Sequence, residues 1–141
     1  MGLSQFDPST IPPFSVIRVP YQFDGSPDVQ SKLFVVLGHL EGVAFCIKTT
    51  SKKSNYTDRR RRMGVVCFEA GEVACFDLET YIEPDNQFPI KHYDILRAHQ
   101  NGKLEIHKLP TDFPDRLMAA IDASITISPR EKSRLSKYLS K

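Results

Sequence analysis

The residues of this chain best suited to chemistry flank two apolar runs. Ser31 and Lys32 precede Leu33–Leu37, and Lys48, Thr49, Thr50 and Ser51 follow Val43–Ile47. If the runs are the arms of a hairpin, these hydroxyls and ammonium groups gather at its open mouth. Hydroxyl and ammonium groups held together suit a phosphodiester, whose oxygens they can bind and whose developing negative charge they can steady. A plainer reading is that strand ends are generally polar and that threonine favours strands. Downstream, Asp58 is followed by Arg59, Arg60, Arg61 and Arg62, with Lys52, Lys53 and Tyr56 close by. Such a run reads either as a solvated loop or as an electrostatic grip on a phosphate backbone with one ring for a base to stack on. Arginine is the side chain whose planar fork chelates phosphate.

Other chemistries find less support. The four histidines, His39, His92, His99 and His107, have no metal-ligand spacing, so neither a metal nor another cofactor is expected. The sequence contains no glycine-rich phosphate loop, no Ser-His-Asp order and no His-Glu helix motif. Cys46, Cys67 and Cys75 lie in apolar runs without a CxxC pair, as expected of reduced, buried thiols.

The elements that must position the mouth follow from patterning. Apolar residues at successive positions, rather than alternating ones, point to strands buried on both faces, so the hairpin, broken at Gly38–Gly42, is expected at the core. Phe14–Val19 reads as a strand before it, and the loop Tyr21–Gln30 is expected to overhang the mouth. A thirteen-residue basic loop, Ser51–Met63, follows it. Gly64–Phe68 and Val73–Leu78 then read as a second hairpin, with a short strand near Thr80–Ile82. Ile90–Gln100 has helical spacing and ends at Asn101-Gly102, Lys103–Leu109 alternates like a late edge strand, and Thr111-Asp112 caps a helix with Phe113, Leu117, Met118 and Ile121 on one face. Ser128-Pro129-Arg130-Glu131 opens a final basic helix.

With 141 residues, a 40% hydrophobic fraction and 19 basic against 17 acidic side chains, the chain reads as one globular domain. Residues 1–13 form an irregular arm, 14–110 a core with one short helix, and 111–141 two C-terminal helices. The expected class is mainly β: a small SH3-like antiparallel barrel, or a strongly curled sheet, followed by helices, because such a form removes exposed edges. A net charge of +2 does not by itself imply nucleic acid. No segment reaches the roughly 18 apolar residues of a membrane span and the N-terminus lacks a signal-peptide pattern, so a cytoplasmic protein without a membrane partner is expected.

The motifs VIRVPYQFDGS, SKLFVVL and CIKTTS, taken in order, resemble the PemK/MazF family of bacterial toxins, small barrels that dimerise and cut RNA without a metal. The likeness covers Phe14–Ser51 closely and the later strands loosely. It implies a MazF-type barrel, a homodimer, a cognate antitoxin as partner and metal-independent endoribonuclease activity, in which the substrate's own 2′-hydroxyl attacks the adjacent phosphate. Lys32 stands where the family has its catalytic arginine, and the family's threonine maps onto Thr49 or Thr50. Ser31, Lys48, Ser51 and Arg59–Arg62 would bind RNA, and Asp24 and Asp28 are the nearest candidate bases by sequence. Lysine keeps the charge but not the bidentate fork. This departure leaves a second expectation open, a non-catalytic RNA- or protein-binding module on the same barrel.

Overall fold

The structure, a computed structural model, describes residues 6–22, 29–51 and 63–139. Six strands, β1 (Ser15–Gln22), β2 (Val29–Leu40), β3 (Val43–Thr50), β4 (Val66–Phe68), β5 (Thr80–Lys91) and β6 (Glu105–Lys108), form one antiparallel sheet in the order β4-β5-β3-β2-β1-β6. Three helices accompany it: α1 (His92–Gln100), α2 (Phe113–Ala123) and α3 (Pro129–Leu139). The sheet curls into a half-barrel. Among the described residues its end strands β4 and β6 pair with no further strand, so of the two expected forms it takes the curled sheet and not the closed barrel. Both ends are short, which limits the unpaired backbone they offer.

The central hairpin is present, with one correction. Its turn is the pair Glu41-Gly42 alone, because β2 continues through Gly38 with a bulge between Val36 and Gly38. Glu41 at φ 51° and Gly42 at φ 78° give the left-handed pair that matches the twist of two-residue hairpins, and Gly42 adopts this without a Cβ clash.

The apolar runs are continuous because both faces of the sheet are covered. On one face Val16, Val35, Ile47 and Ile82 pack with Phe113, Leu117 and Ile121 of α2 and Leu135 of α3. On the other, Ile17, Val19, Phe34, Val36, Cys46 and Ile90 pack with Ile95 and Ala98 of α1 and with Ile11 from the N-terminal turn. Phe34, Val35 and Val36 are each fully buried, alternate residues serving opposite cores.

Two strand expectations are overturned. Val73–Leu78 is not a strand; it returns by turns, with Phe76 N–H donating to the Val73 carbonyl at 2.8 Å, while Val73, Cys75 and Phe76 still reach the α2 core. The segment beginning at Thr80 is a twelve-residue strand rather than a short one. Its pairing with β3 jumps from Thr49↔Ile82 to Ile47↔Gln87, so residues 83–86 bulge out, and Pro84 and Pro89 lie beyond the reach of β4, where a missing N–H costs nothing.

The helices lie where their patterns placed them. Gly102, at φ 69°, ends α1, and the Ser128 hydroxyl accepts from Glu131 N–H at 3.2 Å, the forward half of the capping box. Glu131 does not return the bond. Its carboxylate binds Arg134. Asp112 stands at the cap of α2 but makes no side-chain capping bond, leaving its carbonyl to accept from Arg116.

Candidate functional site

The register fixes what the hairpin mouth brings together. Phe34 and Lys48 are the last pair of the β2–β3 ladder, and beyond them Thr49 Oγ1 donates to the Leu33 carbonyl at 3.0 Å, a side-chain bond that keeps the two strands together there. The same register, continued, sets Lys32 across from Thr50 and Ser31 across from Ser51. Alternation then separates the two threonines. Thr49 pairs with Ile82, on the α2 face, whereas Thr50 pairs with Tyr81. Lys32 pairs with Val19, which belongs to the α1 face. Lys32, Lys48 and Thr50 therefore share one face, and Thr49 points to the other with its hydroxyl proton committed to backbone.

Two short rows meet at the mouth, Val19–Lys32 on β1 and β2 and Thr50–Tyr81–Cys67 on β3, β5 and β4, and the continued register aligns them. Lys32, Lys48 and Thr50 are half-buried, and Ser31 and Ser51 are exposed at the rim. Neighbouring strands are about 4.8 Å apart, so the ammonium stem of Lys32 and the hydroxyl of Thr50 can reach the same phosphate. Arg59, Arg60, Arg61 and Arg62 lie outside the described residues, as do Asp24 and Asp28.

Pairing also supplies residues that patterning missed. Tyr81 is buried, and its hydroxyl donates to the carboxylate of Glu79, two residues earlier on the same face and at the same end of the sheet as Ser31 and Ser51. Thr80–Ile82 reads as a strand from sequence, but only the fold reveals that it lies against Thr50.

The histidines are elsewhere. His39, near the hairpin turn, places Nδ1 2.8 Å from His92 Nε2 and Nε2 2.8 Å from the Ile11 carbonyl. Because a carbonyl only accepts, His39 Nε2 carries a proton and donates it. Burial, and then the charge of His39, hold His92 below its usual value. His99 stacks on Phe6, and His107 binds Glu105 at 3.0 Å. Among the described residues no group of three or more His, Cys, Asp or Glu side chains could hold a metal ion. Cys46 and Cys75 are buried and Cys67 half-buried, and burial pushes the Cys46 thiol up to about 12.

A cavity of about 530 Å³ opens at the far end of the hairpin, lined by Leu37, Leu40, Phe45, Pro89, Arg134 and Leu135. It does not adjoin the mouth. No described helix is long and apolar enough to cross a membrane. Set against models of known protein families and against curated proteins, the chain matches none.

Proposed function

We propose that this protein acts on single-stranded RNA at the mouth of the β2–β3 hairpin, as a metal-independent endoribonuclease of the PemK/MazF kind. The observation that carries the reading is that Lys32, Lys48 and Thr50 lie on one face at the end of the β2–β3 ladder, beside exposed Ser31 and Ser51. An ammonium group and a hydroxyl one strand apart can hold the two non-bridging oxygens of a phosphodiester and counter the charge that grows on them as the 2′-oxygen attacks. Of the two threonines that the family motif could match, Thr50 takes the role; Thr49 supports the strand. Lys48, on the same face, adds charge for a neighbouring phosphate. An SH3-like, MazF-type identity of the half-barrel, a cytoplasmic location, a homodimer and an antitoxin belong to the same reading.

The test is incubation of purified protein with end-labelled single-stranded RNA in EDTA. Cleavage leaving 2′,3′-cyclic phosphate ends, abolished in Lys32→Ala and retained in Lys32→Arg, is the expected result. RNA that stays intact with wild-type protein sinks the enzymatic version.

A second reading has its own observation. The Thr49 hydroxyl is committed to Leu33, and Lys32 lacks the fork of the family's arginine, which favours a module that binds RNA without cutting it. Salt-sensitive RNA binding with no cleavage would establish that version, and no RNA binding at low salt would point to a protein partner instead.

A further inference from the structure

We propose that Glu79 is the general base of the RNA cleavage and that Tyr81 is its positioning residue; this rests on the RNA reading above. Cleavage through the 2′-hydroxyl needs a group that takes its proton, and among the described residues the hairpin mouth itself supplies only cationic and hydroxyl side chains. The carboxylate comes from the residue just before β5. Tyr81 pairs directly with Thr50, which shares the face of Lys32, and the bond from the Tyr81 hydroxyl holds the Glu79 carboxylate against that face. β5 runs antiparallel to β3, so its first residues lie at the mouth end, with Ser51 and Ser31. β2 and β5 flank β3 and so lie two strand spacings, about 10 Å, apart, which leaves room for one phosphodiester between the Lys32 ammonium group and the carboxylate.

Tyr81 explains how a carboxylate at a strand end keeps one position. The ring is 1% exposed, packed with Val65 and Cys67, and its hydroxyl donates to Glu79 Oε1. A buried phenol has little freedom, so the bond sets the carboxylate's direction. Glu79 is half-buried rather than enclosed, as a group that must meet a substrate has to be.

The step balances without a metal. Glu79 Oε2 takes the proton of the 2′-hydroxyl as that oxygen forms a bond to phosphorus, and the bond from phosphorus to the 5′-oxygen breaks. Lys32 and Thr50 hold the non-bridging oxygens. The departing 5′-oxygen takes a proton from a solvent water, and the hydroxide left behind takes the proton from Glu79. The products are a 2′,3′-cyclic phosphate and a 5′-hydroxyl end.

The test measures single-turnover cleavage of single-stranded RNA and, separately, affinity for the same oligonucleotide with 2′-O-methyl groups. Glu79→Gln is expected to slow cleavage by roughly 100-fold or more and to remove the acidic limb of the pH–rate profile, with affinity for the methylated RNA changed by less than about twofold. Tyr81→Phe keeps the base but loses its positioning bond, so single-turnover cleavage is expected to slow by roughly 10-fold with affinity for the methylated RNA changed by less than about twofold, a split that a merely structural tyrosine would not produce. If Glu79→Gln does not give a wild-type circular dichroism spectrum, Tyr81→Phe decides the matter alone. Wild-type cleavage with Glu79→Gln within about threefold of it overturns the assignment and leaves the RNA reading intact. Wild-type protein that binds RNA without cutting it also overturns the assignment, in favour of a binding module. Wild-type protein that neither binds nor cuts RNA removes the RNA reading and this proposal with it.

Discussion

Replacing His39 by leucine should loosen the joint that ties the N-terminal turn, the hairpin end and α1 together. His39 donates to the Ile11 carbonyl at 2.8 Å and shares a proton with His92 at 2.8 Å, with the ring centroids 4.9 Å apart. The backbone N–H of His92 in turn donates to the Gly42 carbonyl at 2.9 Å. Leucine fills similar space but ends both side-chain bonds and leaves the carbonyl of Ile11, a residue that is 2% exposed, without its donor. Two bonds at about 1 kcal/mol each, with a further penalty for the orphaned acceptor, give a loss of about 2–4 kcal/mol at pH 7.5. The pH dependence carries the sharper signature. His92 is held below its ordinary value of 6.5 by burial first and His39 second, with Asp7 opposing. The unfolded chain therefore takes up more protons than the folded one as pH falls through 6.5, and wild-type stability is present above that value and lost below it. A charge on His39 further opposes a proton on His92. Leucine at position 39 removes that conflict, so the variant loses less stability on acidification and the gap to wild type narrows. Urea unfolding followed by circular dichroism at pH 7.5, 6.5 and 5.5 measures both quantities. A variant as stable as wild type at pH 7.5, or a gap that stays constant down to pH 5.5, refutes the reasoning.

Three further outcomes follow from the same structure. Phe113→Ala empties the centre of the α2 core, where the ring is fully buried between Phe14 and Phe68, and should cost about 3–5 kcal/mol in urea unfolding; a loss below about 1 kcal/mol would mean that the helix does not seat there. Glu41→Asn places a residue that tolerates positive φ at the first turn position, now held at φ 51° by glutamate, and should raise stability by about 0.5 kcal/mol; a lower unfolding midpoint would argue against the turn geometry. Cys46, buried and with its thiol pushed up to about 12, should resist Ellman's reagent at pH 8 until the protein unfolds, and prompt native-state labelling in a variant retaining only that cysteine would contradict its placement.

What patterning could read, and what it could not, follows from the range of the forces involved. The β2–β3 hairpin is legible because both faces of its strands are buried, which writes an uninterrupted apolar run. The helix ends are legible because caps are local: Ser128 and Gly102 act within a few residues of themselves. β5 is hidden because residues 83–86 leave the ladder and its prolines lie where only one neighbour remains, so the strand loses both its alternation and its expected composition. Val73–Leu78 misleads in the opposite sense; its apolar residues serve the α2 core from turns. Closure of the sheet depends on how far it curls, which no local pattern encodes. At the site, the hydroxyl and ammonium residues stand out, but the choice between Thr49 and Thr50 rests on which face each takes. Glu79 and Tyr81 enter through a pairing thirty-one residues distant from Thr50 in sequence. The His39–His92 pair joins positions 53 apart and has no spacing signature at all.

Where a phosphodiester sits on this protein is the central claim, and an NMR titration locates it without requiring turnover. The probe is a short single-stranded RNA with 2′-O-methyl groups, added to isotope-labelled protein at low salt. Amide shifts concentrated at Ser31, Lys32, Lys48, Thr50 and Glu79–Tyr81, weakening as salt rises and lost in Lys32→Ala, are the expected result. Shifts confined to α2 and α3, or no shifts at low salt, would contradict the account.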